Sequence, residues 1–294
     1  MSITAPGRAG APRPAESGFT ESRAVRILLR VATYLVLAFL YVPLAIVVIY
    51  AFNKSRGQSW PPSGFTAHWF SVAWHNGEVR SALWLSIQAA VGATAIALAL
   101  GSAAAFAVHR FRFFGREAVS FVLVLPIALP GILTGIALNS AINFSGIPFS
   151  LLTIIIGHAT FCVVVVYNNV VARLRRTPGS LVEASMDLGA DGWQTFRRVT
   201  LPSVATALVA GGLLAFALSF DEIIVTNFTA GAAQTLPIFI LNNIRLPRNR
   251  PIVNVVAFVV ILLSLIPVYL AQRLTREPVS RTVEREPAAR EPAP

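Results

Sequence analysis

The chain has 294 residues, of which 55% are hydrophobic and only 13% charged. A soluble domain is typically about 25% charged, so this composition excludes an ordinary soluble protein and points to the membrane. The formal net charge is +11, but the arginines stand in short groups beside apolar runs, a pattern of membrane topology and not of nucleic-acid binding.

Residues 1–26 are rich in Pro, Ala and Gly with scattered Arg, a composition that predicts a disordered tail. A helical crossing needs roughly 20 mainly apolar residues, and six stretches qualify: 27–52, 82–108, 118–140, 150–172, 203–227 and 252–272. The first is too long for a signal-peptide core, and no small-residue cleavage site follows it. It is read as a retained span. The loop at 53–80 holds Trp60, Trp69 and Trp74, which suit an interfacial belt.

The second stretch is rich in Ala and Gly. Small residues let helices approach closely, so this span is expected inside the bundle. The third contains Pro126 and Pro130, expected to kink or break it. The fourth is interrupted by Gly157, His158, Asn168 and Asn169, whose polar groups suit hydrogen bonds between helices. Cys162, the single cysteine, forbids an internal disulfide and reads as a small packing residue. The fifth stretch carries Asp221 and Glu222. Residues 273–294 are again rich in Pro, Ala and charge and are predicted to be a second disordered tail.

Charge orients the whole. With both ends inside, eighteen of the 24 basic residues fall on the cytoplasmic side. Outside lie only Lys54, Arg56, Arg80, Arg245, Arg248 and Arg250. The excess inside is what the positive-inside rule expects. The fold expected is an all-α membrane protein of six transmembrane helices with cytoplasmic N and C termini. Its membrane domain spans 27–272.

The most polar internal stretch, EASMDLGADGWQTFRRVTLP at 183–202, then lies in the cytoplasm. It reads as two short helices within about 178–200. Ser180 followed by Glu183 fits a capping box, and Gly189 stands where a helix end often needs a left-handed residue. Asp191, with Gln194 three residues on, suits the cap of the second helix. Leu201-Pro202 is expected to end the unit. Trp193 and Phe196 recur at helical spacing, and large apolar residues clustered with charges on a surface mark a contact site.

The same stretch resembles the signature of permease subunits of bacterial ABC importers: E-A-A, three residues, G, nine residues, I, one residue, L-P. Glu183, Ala184, Gly189, Leu201 and Pro202 stand at the matching positions, with Ser185 for the second alanine and Val199 for the isoleucine. The resemblance implies a type I ABC importer permease, with this segment as the coupling helix that docks on an ATPase subunit. Glu183 would then act in structure and coupling, not chemistry. FLYVPLAIVVIYAFNKS, GFTAHWF, GHATFCVVVVYNNVVARLR, SFDEIIVTNFTAG and TLPIFILNNIR are similar to the branch that imports spermidine and putrescine. The implied location is the bacterial inner membrane. The implied partners are two ATPase subunits, a second permease subunit, an extracytoplasmic solute-binding protein and membrane lipid, with no nucleic acid.

No phosphate-cradling G-x-x-x-x-G-K-[ST] loop is present, since the only lysine, Lys54, follows Ala-Phe-Asn. Hydrolysis of ATP is therefore expected on another polypeptide, and no catalytic residue, metal or cofactor is expected here. Asp221 and Glu222 lie about 27 Å along the fifth helix from Ser203 at about 1.5 Å per residue. Acids at that depth are expensive unless partnered or hydrated. They read either as a wall of the substrate pathway or as carboxylates reaching the outer interface or pairing with Arg245. Neighbours on a helix diverge by about 100°, so one of the two is expected to face the pathway, Asp221 first.

Polyamine relatives often carry Pro-Glu in the third span where this chain has Pro130-Gly131, so one candidate carboxylate is missing. Other small solutes of the same importer class remain open. A secondary carrier would leave the signature unexplained. An intramembrane protease would want a histidine in a late span, and His68, His75, His109 and His158 all come earlier.

Overall fold

The computed structural model describes residues 23–111 and 113–275. Among them every regular element is a helix, with one isolated antiparallel bridge between Asn53 and Phe65. Most of both expected tails, 1–22 and 276–294, lies outside the described residues. By internal contacts the chain divides between Ile46 and Val47.

The first unit is built on helix α1, Arg23–Ala51, which starts four residues inside the expected tail and runs on across the division. Its best 18-residue window has mean hydropathy 2.5. Such a segment has no polar face to give to water.

The second unit holds the remaining helices. After a loop come α2 (His68–His75) and α3 (Gly77–Arg110), 34 residues long. Asn76 opens α3: its side-chain oxygen accepts from the N–H groups of Glu78 at 2.9 Å and Val79 at 3.3 Å, satisfying two orphan donors of the first turn. Ala89, Ala93, Ala97, Gly101 and Ala105 recur every four residues on α3 and are all buried. They form the stripe that lets α3 close on α6 (Leu151–Arg176), its most extensive neighbour. At Gly101 a Cβ would stand 2.8 Å from the Val163 carbonyl oxygen, so only glycine fits.

The expected third span is two helices, α4 (Arg116–Ala128) and α5 (Gly131–Phe144), bent by 103°. The break falls at Pro130, with Leu129 pushed to extended backbone before it. Pro126 stays inside α4. Then follow α6, α7 (Ser180–Asp187), α8 (Gly192–Thr195), a π-helical turn (Phe196–Thr200) and α9 (Leu201–Phe220). The chain closes with α10 (Ile224–Thr229), α11 (Leu236–Asn243) and α12 (Arg250–Thr275).

Among the described residues, four helical stretches are long and apolar enough to cross a membrane, or five if the bent pair is one span. The sixth expected span coincides with α12, whose apolar part, Arg250–Ile266, runs about 25 Å at about 1.5 Å per residue.

Two main cores result. One joins α3, α6 and α9 through Ala97, Phe161, Val166, Tyr167, Val204 and Ala215. The other packs Trp69, Val79, Ala82, Leu236, Phe239 and Val255. Trp69 is therefore a core residue, with its indole N–H donating to the Asn53 carbonyl at 3.0 Å. Of the three tryptophans expected in an interfacial belt, Trp60 and Trp74 are exposed and Trp69 is not.

Candidate functional site: the polar segment and the broken fifth span

The polar segment folds as two short helices around a fixed turn. Helix α7 ends at Leu188 and the chain reverses at Gly189, whose φ of +83° belongs to the left-handed region that glycine enters freely. Asp191 then caps α8: its carboxylate accepts from Gln194 N–H at 2.8 Å, and Gln194 Oε1 accepts from Asp191 N–H at 3.4 Å. Both features agree with the sequence reading. The expected capping box at Ser180 does not form. Ser180 already lies in the first turn of α7, and the position before it is Gly179, which has no side chain to cap with. Glu183 is exposed, and among the described residues its carboxylate has no hydrogen-bonding partner.

The far end of the segment also differs. Leu201-Pro202 does not end it. Phe196–Thr200 forms a π-helical turn that runs straight into α9, so Gly192–Phe220 is one continuous helical stretch. Proline is tolerated because it falls at the start of α9, where its missing N–H costs little, and one wider turn absorbs the register change.

The segment is braced within itself and against the body. Ser185 Oγ lies 3.1 Å from Oγ1 of the fully buried Thr195, joining α7 to α8. Phe196 stacks on Trp193 at 5.7 Å and meets Phe106 of α3 edge to face at 5.2 Å. Arg173, in the last turn of α6, donates from Nε to the Ser203 carbonyl at 3.0 Å. Outward, among exposed acids and arginines, stand two large apolar side chains: Leu188 is 89% exposed and Trp193 67%. Phe196, expected on the same surface, is half-buried instead.

The acids at the top of α9 sit at a second break. Helix α9 ends at Phe220, and α10 starts only at Ile224. The two acids have parted roles. Glu222 Oε1 accepts from Val225 N–H at 2.9 Å and so caps α10. Asp221 borders a groove of about 720 Å³ between α3, α9 and α12, walled by Leu83, Phe216, Phe220 and Val260. It is the one charged group in a lining that is otherwise apolar but for Ser264, among the described residues. No ion pair joins it to Arg245.

His158 holds this break together. It is 1% exposed. Its Nδ1 lies 2.7 Å from Ser219 Oγ on α9, and its Nε2 lies 2.7 Å from Thr226 Oγ1 on α10. The Thr226 hydroxyl donates its single proton to the Glu222 carbonyl at 2.6 Å. Thr226 can therefore only accept from the ring, which places a ring proton on Nε2. The sequence reading placed His158 in a helix–helix hydrogen bond but did not find its partners. The signal was there in part: Ser219 and Thr226 flank the two acids in a stretch otherwise apolar.

On residues 97–277 the chain matches the family described as binding-protein-dependent transport system inner membrane component. It is 34% identical over 246 residues to the spermidine/putrescine transport system permease protein PotC of Haemophilus influenzae, covering 83% of this chain and 95% of that one. It is 33% identical over 261 residues to the putrescine transport system permease protein PotI of Escherichia coli, covering 84% and 91%. The fold is similar to that of a bacterial alginate ABC transporter in complex with an alginate pentasaccharide-bound periplasmic protein, with TM-score 0.63, 16% identity, and 86% and 94% of the chains covered.

Among the described residues the body is all helical, with one helix pair broken at Pro130 and another between Phe220 and Ile224. This chain belongs to the binding-protein-dependent transport system inner membrane component family. It is a multi-pass inner-membrane permease subunit of a bacterial ABC importer, not an enzyme, and the ATPase of such systems is a separate subunit.

Proposed function

We propose that this permease forms the pathway for a polyamine of the spermidine/putrescine type. The observation that carries the reading is the identity of 34% with PotC and 33% with PotI over more than four-fifths of this chain. The position of Asp221 supports it: a lone carboxylate in an apolar groove of about 720 Å³ attracts cations. Gly131, which lacks the acid often seen in relatives, favours solutes with fewer positive charges.

In this reading the chain crosses six times, with α4 and α5 together as the third crossing and α12 as the sixth. Both termini are cytoplasmic. The segment 178–200 is the coupling element. Glu183, Ala184, Ser185, Gly189, Val199, Leu201 and Pro202 set its docking on one of two ATPase subunits, and the exposed Leu188 and Trp193 enter the cleft. Its neighbours in the assembly are a second permease subunit and a solute-binding protein on the outer side. Asp221 faces the pathway, and Glu222 fixes the backbone beside it.

The test is uptake into vesicles of the complete importer. ATP-dependent accumulation of labelled putrescine or spermidine is expected. Uptake driven by an ion gradient without the ATPase subunits sinks the importer reading. ATP-dependent uptake of some other solute with none of either amine sinks the polyamine reading alone.

A further inference from the structure

A second groove lies away from Asp221, at the other face of α3. It measures about 1020 Å³ and runs between the first three turns of α3 and the α10–α11 connection. Its walls are held by one buried contact: Ser86 Oγ of α3 accepts from Leu236 N–H at the start of α11, at 2.8 Å. Glu78, Trp84 and Gln88 line it from α3, and Gln234 and Asn242 face them. Among the described residues, none of these polar side chains has a hydrogen-bonding partner, and no arginine or lysine lines the groove.

This lining has a definite chemistry. It offers one carboxylate, three amide oxygens and a two-thirds-exposed indole face (Trp84 is 61% exposed). An alkylammonium carries three N–H donors and no acceptor, so it fits a set of acceptors around one negative charge. An indole face attracts the same cation and covers the methylene chain beside it. An anion meets Glu78 and finds no opposing cation. A smaller cavity of about 190 Å³ shares Gln234 and Asn242 and extends to Asn227 on α10, the short helix capped by Glu222. The two grooves thus lead from the start of α3 to the broken part of the fifth span.

We propose that this groove is an alkylammonium vestibule on the outer side, where Glu78 and Trp84 hold one end of an aliphatic amine before it moves toward α10. The inference rests on the polyamine reading and on the six-span orientation. It adds a site distinct from Asp221.

The test is equilibrium binding of labelled 1,4-diaminobutane to the assembled importer in lipid nanodiscs, without ATP and without the binding protein. Glu78→Gln is expected to weaken binding about fivefold, as is Trp84→Leu, since each removes one partly exposed contact. Trp84→Phe, which keeps a ring, recovers most of the loss, and Glu117→Gln on α4 has no effect. Binding that is absent in the parent, or undiminished in Glu78→Gln and Trp84→Leu, overturns the proposal. Uptake measured on the same preparations separates the two ideas. Amine uptake without binding at this groove overturns the vestibule and leaves the polyamine reading. Binding lost with Glu78 in an importer that transports no amine overturns the polyamine reading and leaves the vestibule.

Discussion

Phe196 of the polar segment meets Phe106 of α3 edge to face, with ring centroids 5.2 Å apart. That contact, together with the π-helical turn that carries the segment into α9, makes the proposed coupling element part of the transmembrane body. If the segment couples as proposed, a push on the exposed Trp193 is expected to pass through the stacked rings to α3 and through continuous backbone to α9. Phe196→Ala removes two ring contacts, each worth about 1 kcal/mol beyond area burial. The expected outcome is fewer solute molecules moved per ATP hydrolysed, with the ATPase subunits still bound. Unchanged stoichiometry in reconstituted vesicles sinks this route of transmission.

Gly189 and Ser185 set the angle between α7 and α8. With φ at +83°, Gly189→Ala forces a Cβ into the left-handed region at a cost of about 1–2 kcal/mol. Ser185→Ala leaves the buried Thr195 hydroxyl without the partner it has at 3.1 Å, a loss of about 1 kcal/mol. Both variants are expected to retain less ATPase subunit on co-purification, the glycine variant more severely. Equal retention by all three proteins returns the turn to a purely local role. Glu183→Ala tests the neighbouring exposed acid: with no side-chain hydrogen bond to lose among the described residues, the folded permease should melt as the parent does while its grip on the ATPase weakens.

Much of this was legible from residue order. The alanine and glycine content of the second stretch placed α3 inside the bundle, Pro130, one of two prolines expected to bend the third span, marked the bend, and Asp191 with Gln194 gave the cap of α8. These are local rules, read within one or two helical turns. The misses share another cause. Ser180 and Glu183 have the right spacing for a capping box, but the helix starts one residue earlier than that box requires. Leu201-Pro202 looked like a stop, yet a π turn accommodates it. Trp69 looked interfacial, but the fold offers it the Asn53 carbonyl and a buried niche. The bridge made by His158 joins residues 61 and 68 positions away, and no periodicity announces a contact of that range.

His158 is the clasp across the break between α9 and α10. His158→Phe keeps the volume and leaves the Ser219 and Thr226 hydroxyls without their shared partner, at about 1–3 kcal/mol. The expected result is a lower melting temperature for the purified permease and reduced solute uptake. His158→Gln keeps a donor and an acceptor on a more flexible side chain and should recover part of both. If Phe and Gln variants behave alike, the two hydrogen bonds do not hold the break.

Asp221 and Glu222 are adjacent but should respond differently to the same change. Glu222 works through one oxygen that accepts from Val225 N–H at 2.9 Å, and an amide oxygen does that equally well. Glu222→Gln should therefore keep both stability and uptake, whereas Glu222→Ala loses the cap at about 1 kcal/mol. Asp221 works through its charge, so Asp221→Asn should lower putrescine uptake about fivefold or more with little change in melting. The opposite edit is also available. The atoms nearest a Cβ on Gly131 are Ile224 side-chain atoms, at 3.7–3.8 Å, which is ordinary contact distance. Gly131→Asp can thus be built without a clash at its first atom, and it places a second acid at the start of α5, opposite α10. It should shift preference toward spermidine over putrescine, read as the ratio of their uptake rates. A ratio unmoved by both Asp221→Asn and Gly131→Asp removes charge at the broken spans as the basis of solute choice.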